Sequence, residues 1–145
     1  MSYGIKAYKS VGVKDDLAVA DPHRVIQLLM QGALENMAKA KGAIERKDFA
    51  VKAQTFGKSI AIISALKGSL DMSAGGEISS NLDALYDFMI NHLTLASREL
   101  SLEKTQDVMD ILLSIKSAWD QISVADREKG YALRAGSSQQ VAVGA

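Results

Sequence analysis

The sequence predicts an all-α protein, an antiparallel four-helix bundle with an irregular N-terminal arm and a flexible C-terminal tail. Three observations carry the prediction. Apolar residues between Pro22 and Ile122 recur with a helical period over four long stretches. No stretch alternates with period two for long enough to make a strand. The only proline, Pro22, heads the first stretch instead of interrupting one. Four amphipathic segments of roughly 20 to 26 residues with short links close most simply as an antiparallel bundle. The expected divisions are an arm over 1–20, the bundle over 21–125 and a tail over 126–145.

Each element has its own signals. Asp21-Pro22 supplies an N-cap and a first-turn proline for helix one. At about 100° per residue, Leu29, Met30, Ala33, Met37, Ala40 and Ile44 fall within about 60° of Ile26. Lys47-Asp48 interrupts, and a second stripe runs through Phe49, Ala53, Phe56, Ile60, Ile63, Leu66 and Leu70. Gly75-Gly76 predicts a turn. The third stripe is Ile78, Leu82, Leu85, Tyr86, Met89, Leu93, Ala96 and Leu100, with Tyr86 packing in the core and its hydroxyl reaching the surface. Ser101 caps the fourth, carried by Val108, Ile111, Leu112, Ile115, Ala118, Trp119 and Ile122. Residues 1–20 lack sustained periodicity, and Gly136-Ser-Ser-Gln-Gln140 marks the tail as frayed.

Composition narrows the function classes. A chain of 145 residues with 48% apolar and 23% charged residues is one ordinary domain with a core. Seventeen basic and seventeen acidic residues give no net charge, which argues against binding duplex nucleic acid. Cysteine is absent, so disulfides, thiolate metal sites and thiol catalysis are excluded. No apolar run approaches the roughly 20 residues of a membrane helix, and the N-terminus lacks a signal-peptide core. A cytoplasmic protein without membrane insertion is expected.

Reactive constellations are missing. A di-iron bundle needs Glu-x-x-His pairs, and neither His23 nor His92 has a glutamate three positions before it. His23 reads as a solvated or capping residue of the first turn, and His92 as a helix-flank residue. Ser101, Ser114 and Ser117 sit in no nucleophile elbow. Gly57-Lys58-Ser59 lacks the earlier glycine of a phosphate loop, Lys52 standing there instead. No catalytic residue, cofactor or metal is expected, and the chain does not read as an enzyme.

A bundle needs one stripe per helix, and apolar residues are left over. Leu28 lies about 200° from Ile26, Ile62 about 120° from Phe56, and Leu113 about 160° from Ile111. Phe88 and Leu95 lie about 120° to 140° from Leu82. The bland interpretation is ordinary scattered surface Leu and Ile. The functional one is a second apolar surface of grooves that accepts another protein's helix. Burying five such side chains would contribute roughly 7–15 kcal/mol gross, against several kcal/mol to order a disordered partner.

Several separate blocks then point to a family. Asp21-Pro-His-Arg-Val-Ile-Gln-Leu-Leu-Met-Gln-Gly-Ala-Leu34 and Ala40-Lys-Gly-Ala-Ile-Glu-Arg-Lys-Asp48 resemble the opening of the flagellin-specific export chaperones, the FliS family. So do Leu66-Lys-Gly-Ser-Leu-Asp-Met-Ser-Ala-Gly-Gly-Glu77, Asn81-Leu-Asp-Ala-Leu-Tyr-Asp-Phe-Met89 and the arm Tyr3-Gly-Ile-Lys-Ala-Tyr8. The resemblance runs from about Tyr3 to Ile122. It implies a cytoplasmic, non-catalytic chaperone that binds the disordered C-terminal segment of flagellin. Such binding would block premature polymerisation and keep the subunit deliverable to the flagellar type III export gate. The resemblance also implies an arm that lies against the empty bundle and moves when the client binds.

The neutral total charge fits capture by apolar contact instead of steering by a large field. Ile5 and Tyr8, three apart, share a face if the arm is helical; they would cover the empty groove or help dock at the export gate. A small satellite core is the competing interpretation for that pair. Leu28, Ile62, Phe88, Leu95 and Leu113 are the groove residues that the wheel selects. Other flagellar regulators are further candidates for the same surface. Two rivals stand beside this reading: a generic helical adaptor or homodimer using the same residues, and a carboxylate-metal bundle enzyme.

Overall fold

The computed structural model describes residues 21–122 together with Asp126. Four helices fill that span: α1 (Pro22–Arg46), α2 (Phe49–Gly68), α3 (Met72–Glu99) and α4 (Leu102–Asp120). Local chemistry sets their ends. The Asp21 carboxylate accepts from the Arg24 amide at 2.8 Å, satisfying one of the four free N–H groups of the first turn. Asp48, Asp71 and Ser101 do the same for α2, α3 and α4. α1 and α3 each end on a residue in the left-handed region, Lys47 at φ 58° and Leu100 at φ 55°. In both cases the N-cap of the next helix follows at once, so the chain reverses within two residues.

α1 packs against α2 and α4, and α3 packs against the same two. Side-chain ties give the directions. Gln27 near the start of α1 bonds Asp120 near the end of α4 at 2.8 Å, while Lys41 further along α1 meets Gln106 at 2.6 Å. Lys52 early in α2 reaches the Ser97 carbonyl at 3.2 Å, and Lys67 late in α2 pairs with Asp87 at 3.0 Å. Rising numbers on one helix meet falling numbers on its neighbour. The bundle is therefore up-down-up-down, and among the described residues there is no strand.

The core is built from the expected stripes. Met30, Ala33 and Met37 meet Phe56, Ile63 and Leu66, with Tyr86, Met89, Leu93, Val108 and Leu112 closing the other side. Stripe ends depart from the pattern: Phe49 is 53% exposed, Ile78 72% and Leu100 40%. They lie at the first residue of α2, beside a kink in α3, and at the cap after α3. Ala53 and Ala118 are exposed as well.

Three local expectations need correction. The Gly75-Gly76 turn is a kink within α3, which already begins at Met72 because Asp71 caps an earlier turn. Gly76 has φ 53° and ψ −127°, a conformation suited to glycine. A Cβ on Gly75 would sit 1.5 Å from the Ser79 hydroxyl, which donates to the Asp71 carbonyl across the kink. His23 is buried, not solvated; its ring stacks on Trp119 at 4.9 Å and 8°. Its Nε2 donates to the Trp119 carbonyl at 2.8 Å, and the indole N–H donates back to the His23 carbonyl at 3.0 Å. Tyr86 packs in the core as expected, but only 3% of it meets solvent, and burial pushes its hydroxyl up to about 12.

Candidate functional site

Five residues outside the core stripes were expected on the surface, and the structure divides them. Ile62 is completely buried within the core cluster. Thr55, Ser59 and Ala65 on the same flank of α2 are buried with it, so this helix buries a wider arc than one stripe. Leu28 is also buried, although it lies outside the central cluster. Gly32, Asn36 and Ala43 on the same flank of α1 are buried too. A wheel gives a direction from one axis and does not see what lies in that direction. Neither residue offers a free surface.

Phe88, Leu95 and Leu113 are exposed, at 47%, 38% and 48%. Phe88 and Leu95 are seven apart on α3, two turns along one face. Leu113 stands elsewhere. It follows the buried Leu112 by about 100°, toward the flank of α4 that carries Gln106 and meets α1. Asp107, which bonds His92 of α3, lies on the opposite flank. The structure therefore joins Phe88 with Leu95 and leaves Leu113 as a separate patch. Ile5 and Tyr8 lie outside the described residues.

The joined face has a regular cause. Leu82, Tyr86, Met89, Leu93 and Ala96 recur at four-three spacing and form the inner seam of α3. Asn81, Leu85, Phe88, His92 and Leu95 repeat that spacing one residue earlier, about 100° around the helix. The outer seam is half-buried at Leu85 and His92 and exposed at Phe88 and Leu95. His92 stacks on Phe88 at 5.0 Å and 21°, and its Nε2 lies 3.3 Å from Asp107. It is a flank residue, as expected, but it also bridges the outer seam to α4. Half-buried Ile111 lies one turn beyond Asp107 on that side of α4.

Charge is divided as well. Residues 21–70 carry eight Lys or Arg against four Asp or Glu, a net of +4. Residues 71–122 carry three against nine, a net of −6. The neutral total hides a basic α1–α2 half and an acidic α3–α4 half. Several charges are locally paired. The Asp87 carboxylate, with Asp83 nearby, raises the Lys67 ammonium above its usual range, and Lys104 lowers Glu99. Lys116 likewise lowers Asp120. Among the described residues Glu103 has no ion pair, and Asp110 accepts only from the Gln106 amide. No group of metal-ligating side chains occurs among the described residues, and none of their helices is long and apolar enough to cross a membrane.

Sequence reasoning missed three members of this face: Leu85, His92 and Ile111. Leu85 and Ile111 belong to the expected core stripes, and His92 was expected on the helix flank but not as part of an apolar seam. The four-three spacing beginning at Asn81 was the signal available.

Fold and surface together define a helical bundle with an outward apolar seam, a protein-interaction architecture. Residues 4–126 match the family model described as flagellar protein FliS. The flagellar secretion chaperone FliS of Vibrio cholerae is 43% identical over 122 residues, covering 84% of this chain and 90% of that protein. FliSB of Pseudomonas aeruginosa, also named a flagellar secretion chaperone, is 44% identical over 82% of this chain and 94% of its own length. The Salmonella typhimurium protein is 39% identical over 83% and 90%. The chain belongs to the FliS family of flagellar secretion chaperones. That family is one of chaperones and not of enzymes, which bears out the non-catalytic reading.

Proposed function

We propose that this chain captures the C-terminal segment of flagellin in the cytosol, folding it as a helix along the α3–α4 face. The carrying observation is the outer seam of α3: Phe88 and Leu95 stand exposed at helix-matching spacing, with His92 between them. A partner helix laid along that seam can bury alternate turns against it, as amphipathic helices do in apolar grooves. Capture hides the client's apolar face, which prevents premature polymerisation and leaves the subunit deliverable to the flagellar type III export gate. Ordering the segment costs part of the binding energy, so release at the gate needs no large opposing force.

Leu113 forms a second contact for a client long enough to cross α4. Ile5 and Tyr8 of the arm over 1–20 cover the face in the free protein or engage the gate. Leu28 and Ile62, being buried, support the α1–α2 pair from within. Mixing the purified protein with flagellin, with and without its C-terminal segment, tests the reading. Binding should require the segment and be lost in Phe88→Asp at unchanged helical content. A homodimer through the same residues would sediment as a dimer that ignores the segment.

A further inference from the structure

We infer that the α3–α4 face selects an amphipathic helix with basic flanks, so that the occupant is chosen by charge as well as by apolar contact. The inference rests on reading this face as the capture site and adds the chemistry of what it accepts. Four-three spacing of Phe88, His92 and Leu95 suits side chains that recur on one face of a helix.

The rim of the seam is acidic. Glu99 follows Leu95 by one turn, and Glu103, Asp107 and Asp110 lie along the outward side of α4. Lys104 is committed to Glu99 at 2.6 Å, and among the described residues Asp107 meets only the His92 ring. Glu103 and Asp110 have no basic partner among the described residues. An acidic helix laid on Phe88 and Leu95 would bring like charges together at the rim. A helix with Lys or Arg beside its apolar stripe would pair with them. Exposed pairs contribute little each, so their effect appears as partner discrimination and association rate. The −6 of residues 71–122 extends the same preference to longer range.

The test uses the full chain and two synthetic helical peptides with one Leu heptad stripe, flanked in one by Lys and in the other by Glu. At low salt the Lys peptide should bind roughly tenfold tighter or more, and the gap should shrink severalfold as salt screens the rim. The triple variant Glu103→Gln, Asp107→Asn, Asp110→Asn should close the gap while the thermal midpoint and the helical signal hold. Equal binding of the two peptides, or a gap that survives the triple variant, overturns the inference. So does salt-sensitive self-association that displaces the Lys peptide, because the occupant is then a second copy offering its basic half. The flagellin C-terminal segment forms a separate arm. Should it fail to bind while the Lys peptide binds and Phe88→Asp abolishes that binding, the flagellin reading falls and the charge selection stands.

Discussion

The two hairpins of the bundle are turned by the same device and finished for different purposes. α1–α2 and α3–α4 each reverse through a non-glycine residue in the left-handed region followed by an N-cap, Lys47-Asp48 and Leu100-Ser101. Beyond the turns they diverge. Eleven of the 25 residues of α1 are buried but three of the 19 of α4, which makes α1 a core helix and α4 an outer one. The first hairpin is basic, while the second is acidic and displays an apolar outer seam. Topology follows from short-range turn and cap chemistry common to both. On the proposed reading, function follows from which flank of a helix is left uncovered.

The largest expected effect breaks the comparison at its centre, on α3, where the inner and outer seams are one residue apart. Leu93→Ala removes a fully buried side chain and should cost roughly 3–5 kcal/mol of stability by the cavity it leaves. Phe88→Asp should cost little stability, yet weaken binding of the flagellin segment by roughly 2 kcal/mol or more, through a desolvated carboxylate. Denaturant midpoints and segment affinities for both variants check the division. If Phe88→Asp unfolds the protein, the outer seam is core.

The buried phenol of the inner seam supplies a pH test. Tyr86 is pushed up to about 12, so folding favours its neutral form. Its contribution is complete below the unfolded value near 10 and is lost as pH rises through about 12. Over that window stability should fall by about 2–3 kcal/mol, an order-of-magnitude figure. Tyr86→Phe should flatten that fall. Denaturant titrations at several alkaline pH values measure it, and an unchanged slope in the variant would assign the effect to other groups.

The tie that joins the two hairpins at one end ranks next. His23→Phe keeps a ring over Trp119 but deletes the donor to its carbonyl, and should cost about 1–2 kcal/mol. Segment binding should persist, because His23 stands away from the outer seam. Loss of binding at full stability would move the site toward that end of the bundle.

These regions also differ in how far they could be read from sequence. Core stripes and the caps at Asp21 and Ser101 were legible because both rest on spacings of three and four residues, as in Met30–Ala33–Met37 or Asp21 with the Arg24 amide. The exposure of Phe88, Leu95 and Leu113 was legible from the same wheels. Leu28 and Ile62 were not, since their burial depends on what surrounds a neighbouring helix. His23 and Trp119 are 96 positions apart, and no local pattern announces their reciprocal bonds. The charge division was countable from the residues but vanished in the whole-chain total. Gly76 was rightly marked as a backbone break, yet the cap at Asp71 lets the helix start before it.

The smallest expected effect sharpens the comparison where the hairpins agree. An L residue in the left-handed region costs roughly 1 kcal/mol through its Cβ, and glycine removes that cost while adding freedom to the unfolded chain. Lys47 is exposed at φ 58°, so Lys47→Gly should raise stability by about 0.5–1 kcal/mol at most. Leu100 has nearly the same backbone but keeps partial apolar contact at 40% exposure. Leu100→Gly should therefore gain less, the relief of strain being offset by lost burial of about 25 cal/mol for each Å². Neither substitution touches the outer seam, so segment binding should stay unchanged in both. Chemical denaturation of the two variants and the double resolves the difference. A gain at Leu100 equal to that at Lys47 would mean that its side chain contributes nothing to packing. A loss at Lys47 would mean that the left-handed turn is not a strained position, and that the shared reversal is held by the caps alone.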